Sequence, residues 1–251
     1  MSNAPFKKYA RIGDLRKITG IEYKATVAMY INGFAEDAAS SVRAIKAHSA
    51  AEVAITAVIA GDFDIEPLKA EIDERTYLIQ ITDGVGWGEA INALLKNAPA
   101  PYVIVMDPST IFTGDAISPV LQVLEQGEYS AVGWRGGLVN VADDWRSVED
   151  KGDGEVDVLF SYFMALNKEN ALQANAFNIR AIYYRNADIE FSLKLRQAHG
   201  RLLQMELPLK QERHHGYYDT DEAFRDEQSK KNYDRILDRF RGKNEILGPR
   251  R

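Results

Sequence analysis

Three short stretches of the chain hold residue types that could do chemistry together. Asp107-Pro108-Ser109 stands at the end of an apolar run, YVIVM. A carboxylate there can bind a metal, hold a ribose hydroxyl, or simply close a turn. Asp188 and Glu190 lie two residues apart at the start of a predicted helix, so they diverge around it and only one can face a given ligand. Carboxylates at that place also serve as caps or as partners of the helix dipole. His214-His215-Gly216 follows a predicted strand in a polar turn, where paired imidazoles suit a metal or a phosphate but also occur without any ligand. Beside them, Tyr217 and Tyr218 offer a sugar-stacking surface or lid, or plain packing. Imidazoles, or a metal ion held by acidic groups, can compensate charge on a phosphate-bearing ligand, and a carboxylate can accept a proton from a hydroxyl.

The elements that would position these groups alternate. KATVAMYI (24–31) predicts a strand ending in a turn at Asn32-Gly33, and EDAASSVRAIKAH a helix with acidic residues in its first turn. EVAITAVIAG predicts a second strand, residues 65–75 a polar helix, TYLIQIT a third strand, GWGEAINALLKNA a glycine-led helix, and PYVIVMDPST a fourth strand. Continuously apolar strands alternating with helices imply an α/β fold whose mainly parallel sheet is flanked by helices on both faces. Ligands of such sheets bind outside the carboxyl ends of the strands. That rule singles out Asn32, Gly33, Gly61-Asp62, Asp83-Gly84 and Asp107.

The second half reads as helix, turn and strand over SPVLQVLEQGEYSAVGW, a polar loop over 140–155, and one or two strands in EVDVLFSYFMALNKE. NADIEFSLKLRQAHG predicts an amphipathic helix with Ile189, Leu193 and Leu195 near one face, stopped by Gly200. RLLQMEL then predicts a strand and DEAFRDEQSKKNYDRILDRFRGK a closing helix. Phe224, Tyr233, Ile236, Leu237 and Phe240 lie on one side of that helix; they dock it on its own domain or, alternatively, form a homodimer contact.

With 251 residues, 45% of them hydrophobic and 27% charged, the chain is expected to be one globular domain with a core large enough to need no staple. It has no cysteine, which removes thiolate metal sites and cysteine nucleophiles and fits a cytoplasmic location. A formal charge of -6 argues against a nucleic-acid partner, and no apolar run approaches the ~20 residues of a membrane span.

The order of these stretches resembles family-2 glycosyltransferases with the glycosyltransferase-A fold, particularly their rhamnosyltransferase-like branch. VAMYINGF is similar to that family's opening strand and turn, Gly86-Trp87-Gly88-Glu89-Ala90-Ile91-Asn92 to its GfaaarN motif, and Asp107-Pro108-Ser109 to its D-x-D. Val156-Asp157-Val158-Leu159 with Phe163-Met164 matches vDvlsGafml, residues 187–200 match eDvDlclRlrqaG, and His214-His215-Gly216 matches H-h-G. The resemblance spans about residues 24–241 and implies a nucleotide-binding half (24–135), an acceptor-side half (136–220) and a C-terminal helix (221–241).

What the resemblance implies is inverting transfer of a sugar from a nucleoside-diphosphate sugar to a hydroxyl of a glycan, lipid-linked or small-molecule acceptor, as in polysaccharide biosynthesis. Asp188 would be the catalytic base, with Glu190 and Tyr217 on the acceptor side. Asn32, Gly33, Asp62, Gly86, Trp87, Asn92, Asp107 and Ser109 would bind the nucleotide sugar. Asp107, His214 and His215 would hold Mg²⁺ or Mn²⁺. The sequence departs from the pattern at Ser109, where the family has the last Asp of D-x-D, at Ile91 for an Arg, at Ala187 for a Glu, and in Val58–Asp62 for D-N-x-S. These departures motivate the alternative of a non-catalytic nucleotide- or glycan-binding member or partner subunit.

Overall fold

The computed structural model describes residues 5–16, 22–50 and 52–250. In chain order, β1 (Phe6–Tyr9) precedes β2 (Ala25–Ile31), α1 (Ala35–His48), β3 (Val53–Ala60), α2 (Glu66–Lys69), β4 (Thr76–Ile81), α3 (Trp87–Asn97) and β5 (Tyr102–Met106). Then come β6 (Thr110–Phe112), α4 (Ile117–Glu125), β7 (Ala131–Gly133), β8 (Gly136–Val139), β9 (Val148–Glu149), β10 (Gly154–Val156), β11 (Val158–Leu159) and β12 (Phe163–Asn167). The last part holds α5 (Lys168–Gln173), α6 (Ala187–Gln197), β13 (Leu202–Gln204), β14 (Leu209–Gln211), α7 (His215–Tyr218) and α8 (Glu222–Phe240).

Nine strands form one sheet in the order β1-β4-β3-β2-β5-β12-β7-β13-β10. From β1 to β5 every pairing is parallel, and the antiparallel joints are β5 with β12, β12 with β7 and β13 with β10. The central strands are buried on both faces, and their side chains divide with period two. Val27, Met29 and Ile31 enter the core that α1 and α4 cover, whereas Ala28 of β2, Val58 of β3 and Val105 of β5 enter the core beneath α3 and α6. The sheet flanked on both faces is therefore present as expected.

Several elements differ from their expectation. Strand β1 comes from the polar opening stretch and adds a parallel edge to β4, with Phe6 opposite Leu78. Residues 65–75 are helical only over Glu66–Lys69, because Asp73 gathers the backbone of Arg75 and the hydroxyl of Thr76 into a turn. The polar 140–155 segment holds β9 and the start of β10. Helix α6 is not amphipathic: Ala187 through Leu195 are all buried. Ile189 and Leu193 pack toward α8, while Phe191 and Leu195 pack beneath the sheet, so the three residues expected to share one face divide between two cores.

Helix α8 docks on its own chain. Asp221 caps it by accepting from Phe224 N at 2.8 Å, and Ile236 and Phe240 pack with Trp145, Val158, Ile189 and Leu193. Beyond it, Gly248 N and the Arg250 guanidinium reach the fully buried carboxylate of Asp157, which also accepts from Val139 N. Asp157 thereby ties residues 248–250 to the sheet. Because Phe240 is fully buried, Phe240→Ala is expected to cost about 3–5 kcal/mol of unfolding free energy, measured by urea denaturation.

Candidate active site

Strand β2 has β3 on one side and β5 on the other, so the order of parallel strands reverses between β2 and β5. A crevice opens at their carboxyl ends. Gly33, with φ of +86°, turns the chain out of β2, and Asp107 follows the last residue of β5. Two cavities meet there. The smaller, about 150 Å³, is lined by Asn32, Gly33, Trp87, Asp107, Ser109 and His215 among others. The larger, about 580 Å³, is lined by Asp188, Tyr162, Tyr217, Tyr218, Arg146 and Arg185 among others. Asp107, Ser161, Tyr184 and His214 line both and form their shared wall.

Asp107 is oriented by its own turn. One carboxylate oxygen, Oδ1, accepts from Ser109 N at 2.9 Å and from the Ser109 hydroxyl, which in turn accepts from Gln211 Nε2. The other, Oδ2, lies 3.3 Å from His214 Nε2. That contact lacks hydrogen-bond alignment, and Nε2 is buried with no hydrogen-bond partner. An orphaned buried nitrogen is unusual and calls for an explanation. Tyr184 lies against the His214 ring at 4.9 Å and Tyr162 meets it edge-on at 5.7 Å. Burial in this aromatic sleeve, opposed by the nearby Asp107, keeps the imidazole proton affinity below its ordinary value. A neutral imidazole offers a lone pair.

The pair fits a divalent cation. Two ligands that each bind one ion at ~2.1 Å stand ~3 Å apart, close to the observed Asp107–His214 separation. Among the described residues no group of three or more His, Cys, Asp and Glu is placed to hold a metal. A cation here would therefore complete its shell with water and substrate phosphates, as Mg²⁺ commonly does.

Asp188 opens onto the larger cavity from the first turn of α6. Its carboxylate accepts from Ser161 N at 2.9 Å, Ser161 Oγ at 3.1 Å and Ile189 N at 2.9 Å. Burial nonetheless prevails and raises its proton affinity above that of an ordinary aspartate. Tyr217 also lines this cavity, with the Arg185 and Arg225 guanidinium groups 4.8 and 4.5 Å from its ring centre.

Other expected site residues have different roles. His215 stacks on Phe34 at 4.4 Å, with Nε2 2.9 Å from Asp37 and Nδ1 on Asp219. Both ring nitrogens are thus turned toward carboxylates of the protein rather than toward Asp107 and His214. Asp62 is exposed and lines neither cavity, because β3 lies on the far side of β2 from β5.

Asn92, Gly86 and Glu190 hold a strap, residues 175–184, across the crevice. Asn92 Nδ2 donates to Phe177 O at 2.8 Å and its Oδ1 accepts from Phe177 N at 2.9 Å. Gly86 closes on Ile182, where a Cβ would come within 3.2 Å of the backbone, and Trp87 N and Gly88 N donate to Ile182 O and Ala181 O. Glu190 accepts from Asn178 and pairs with Arg235, turned away from both cavities. The strap ends in Ile182, Tyr183 and Tyr184, which line the smaller cavity. Ser161, Tyr162, Tyr184 and Gln211 were not expected in the site. Only the aromatic pair Tyr183-Tyr184 just before Asp188 hints at them in the sequence.

The family model described as Glycosyl transferase family 2 matches residues 62–189, about half the chain. The chain belongs to glycosyl transferase family 2. No curated protein gives a significant sequence match. Among solved structures, the mannosyltransferase PcManGT from Pyrobaculum calidifontis, in complex with GDP-Man and Mn²⁺, superposes with a TM-score of 0.58 at 16% identity. That match covers 77% of this chain and 57% of that one. GalNAc-T7, solved with UDP, GalNAc and Mn²⁺, superposes with a TM-score of 0.65 at 11% identity, over 86% of this chain and 48% of that one. The family-2 chain thus spans about half the length of these solved relatives, and what it shares with them is the glycosyltransferase-A fold.

Two outcomes follow for this family member. Asn92→Ala leaves both polar groups of Phe177 unpaired and is expected to lower stability by about 1–3 kcal/mol, with faster amide exchange across 175–184. His214 binds its proton less readily folded than unfolded, so it adds nothing at high pH and destabilises as pH falls below about 6.5. His214→Gln is expected to flatten that decline below about pH 6.5 in thermal melts.

Proposed function

We propose that the chain transfers a glycosyl group from a nucleoside-diphosphate sugar to an acceptor hydroxyl with inversion. In this reading the donor lies over the carboxyl ends of β2 and β5, with Asn32, Gly33, Trp87 and the Asp107–Ser109 turn along it. The acceptor enters the larger cavity. Asp188 takes the hydroxyl proton as the acceptor oxygen bonds to the anomeric carbon, and the bond from that carbon to the diphosphate oxygen breaks. The observation that carries the proposal is a buried carboxylate of raised basicity in one cavity, whose wall shared with the other cavity contains the Asp107–His214 pair.

A divalent cation on Asp107 and His214 would supply charge compensation for the leaving diphosphate. The residues themselves do the rest. Ser109 and Gln211 fix the Asp107 carboxylate, and Tyr162 and Tyr184 keep the imidazole neutral and shield it from water. Ser161 aims Asp188, whose burial supports proton uptake nearer neutral pH. Mn²⁺ in the two solved relatives supports the cation, and their GDP-Man and UDP support a nucleotide donor.

Asp188→Asn is expected to lower kcat about 10²–10⁴-fold while leaving nucleoside-diphosphate affinity within about twofold, measured by product formation and calorimetry. The wild-type kcat is expected to fall on the acid side with a midpoint above ~4, the ordinary aspartate value. Unchanged turnover in Asp188→Asn would remove the assignment. Nucleoside-diphosphate binding with no transfer or donor hydrolysis, with or without Mn²⁺, would favour a binding role instead.

A further inference from the structure

The larger cavity combines aromatic rings with two arginines that no ion pair holds. Phe160, Tyr162, Tyr184, Tyr217, Tyr218 and Tyr233 supply the rings, a surface suited to sugar faces. Arg146 and Arg185 line the same cavity from different segments; among the described residues neither guanidinium makes a hydrogen bond or a close ion pair, and Arg146 acts on the nearby Asp143 carboxylate only at longer range. Its acidic members are otherwise occupied: Glu212 pairs with Lys210, Asp107 faces His214, and Asp188 is buried on Ser161. Both residues are exposed and solvated by water, so an anionic ligand entering the cavity meets two guanidinium groups that no carboxylate already binds.

The backbone presents both arginines deliberately. Arg146 follows two consecutive left-handed residues, Asp144 with φ of 65° and Trp145 with φ of 68°. Such strain persists only where the surroundings over-determine it. Here Asn140 accepts from Ala142 N and Asp143 N, Asp143 accepts from Arg146 N, Trp145 is buried as an anchor, and Tyr233 donates to Trp145 O. Arg185 precedes another left-handed residue, Asn186 with φ of 67°, and Asn232 donates to the carbonyls of both Arg185 and Tyr183. The Arg185 guanidinium then lies 4.8 Å from the Tyr217 ring centre, a contact that orients it without neutralising it.

We propose that the acceptor carries an anionic group, a phosphate or a carboxylate, close to the sugar or hydroxyl that enters the larger cavity, and that Arg146 and Arg185 recognise it. The inference rests on the acceptor-side reading of that cavity given above. Guanidinium groups suit both anions, because each planar fork matches two oxygens at once.

Glucose 6-phosphate, glucuronate and glucose serve as probes, titrated calorimetrically into the full chain with the best-binding nucleoside diphosphate and Mn²⁺ present. The anionic sugars are expected to bind about tenfold or more tighter than glucose, and the preference to shrink between ~50 and ~500 mM NaCl. Whichever anion binds tighter identifies the source. Arg146→Gln with Arg185→Gln is expected to abolish the preference with nucleoside-diphosphate affinity and melting temperature unchanged, and Arg185→Lys to keep part of it. Glucose binding as tightly as the anions, or an anion preference surviving the double variant, overturns the proposal. An equal loss of nucleoside-diphosphate affinity also overturns it, by assigning the arginines to the donor. If no nucleoside diphosphate binds but the arginine-dependent preference persists, the anion site stands and the transfer reading falls.

Discussion

The reversal of strand order between β2 and β5 is the constraint on which the rest of the molecule depends. Both strands are buried in parallel pairing from Ala25 opposite Tyr102 to Met29 opposite Met106, so their carboxyl ends are fixed relative to each other by five registered pairs. The helix after β2 runs to one side of the sheet and the connection into β5 comes from the other. Neither covers the gap between the two strand ends. Asp107 emerges at that gap because Met106 is the last residue the ladder can hold, and the turn that follows is closed by the Asp107 side chain itself. A buried ladder thus sets the position of one partly buried carboxylate to within the tolerance of its hydrogen bonds.

The opposite wall has no ladder behind it and is built from side chains. The strap 175–184 begins at two left-handed residues, Asn175 and Ala176, whose carbonyls converge on the Lys194 ammonium. Burial, only partly opposed by the Glu190 carboxylate, lowers the pKa of that ammonium to about 8. Asn92 then satisfies the backbone of Phe177, Glu190 holds Asn178, and α3 offers its first free N–H groups to Ala181 and Ile182. Gly88 must lack a side chain, since a Cβ there would lie 2.1 Å from Asn178 O. The strap and α6 are therefore fastened to each other and to α3, and Tyr184 and Asp188 keep a common frame.

The two walls explain what was legible in the sequence. Residues whose environment is set by strand pairing could be read locally: the apolar runs of β2 to β5, the Asn32-Gly33 turn and Asp107 all stand where the strand pattern puts them. Asn92 and Glu190 were legible as unusual residues but not as strap anchors, because their partners lie 85 and 12 residues away and carry no pattern of their own. Asp62 was singled out by a rule that treats all strand ends alike, and it stands at the end of β3, outside the two cavities at the reversal. The even burial of α6 erased the periodicity from which its faces would have been read. His215 and His214 are neighbours of one type, and only the three-dimensional placement of Asp37 and Asp219 separates them.

Ser109 shows how the site balances without a second acid. Its hydroxyl touches one oxygen of Asp107, so a carboxylate in its place would set two like charges together, an arrangement that demands a cation or a shared proton. The serine instead donates to Asp107 and accepts from Gln211, leaving the turn satisfied and singly acidic. The lone pair that a second acid would have supplied is offered by His214, made available by its aromatic sleeve rather than by charge. One carboxylate and one neutral imidazole attract a cation less strongly than two carboxylates do. A divalent ion would therefore be held mainly when phosphate oxygens share it, which couples its residence to the ligand more tightly than to the protein.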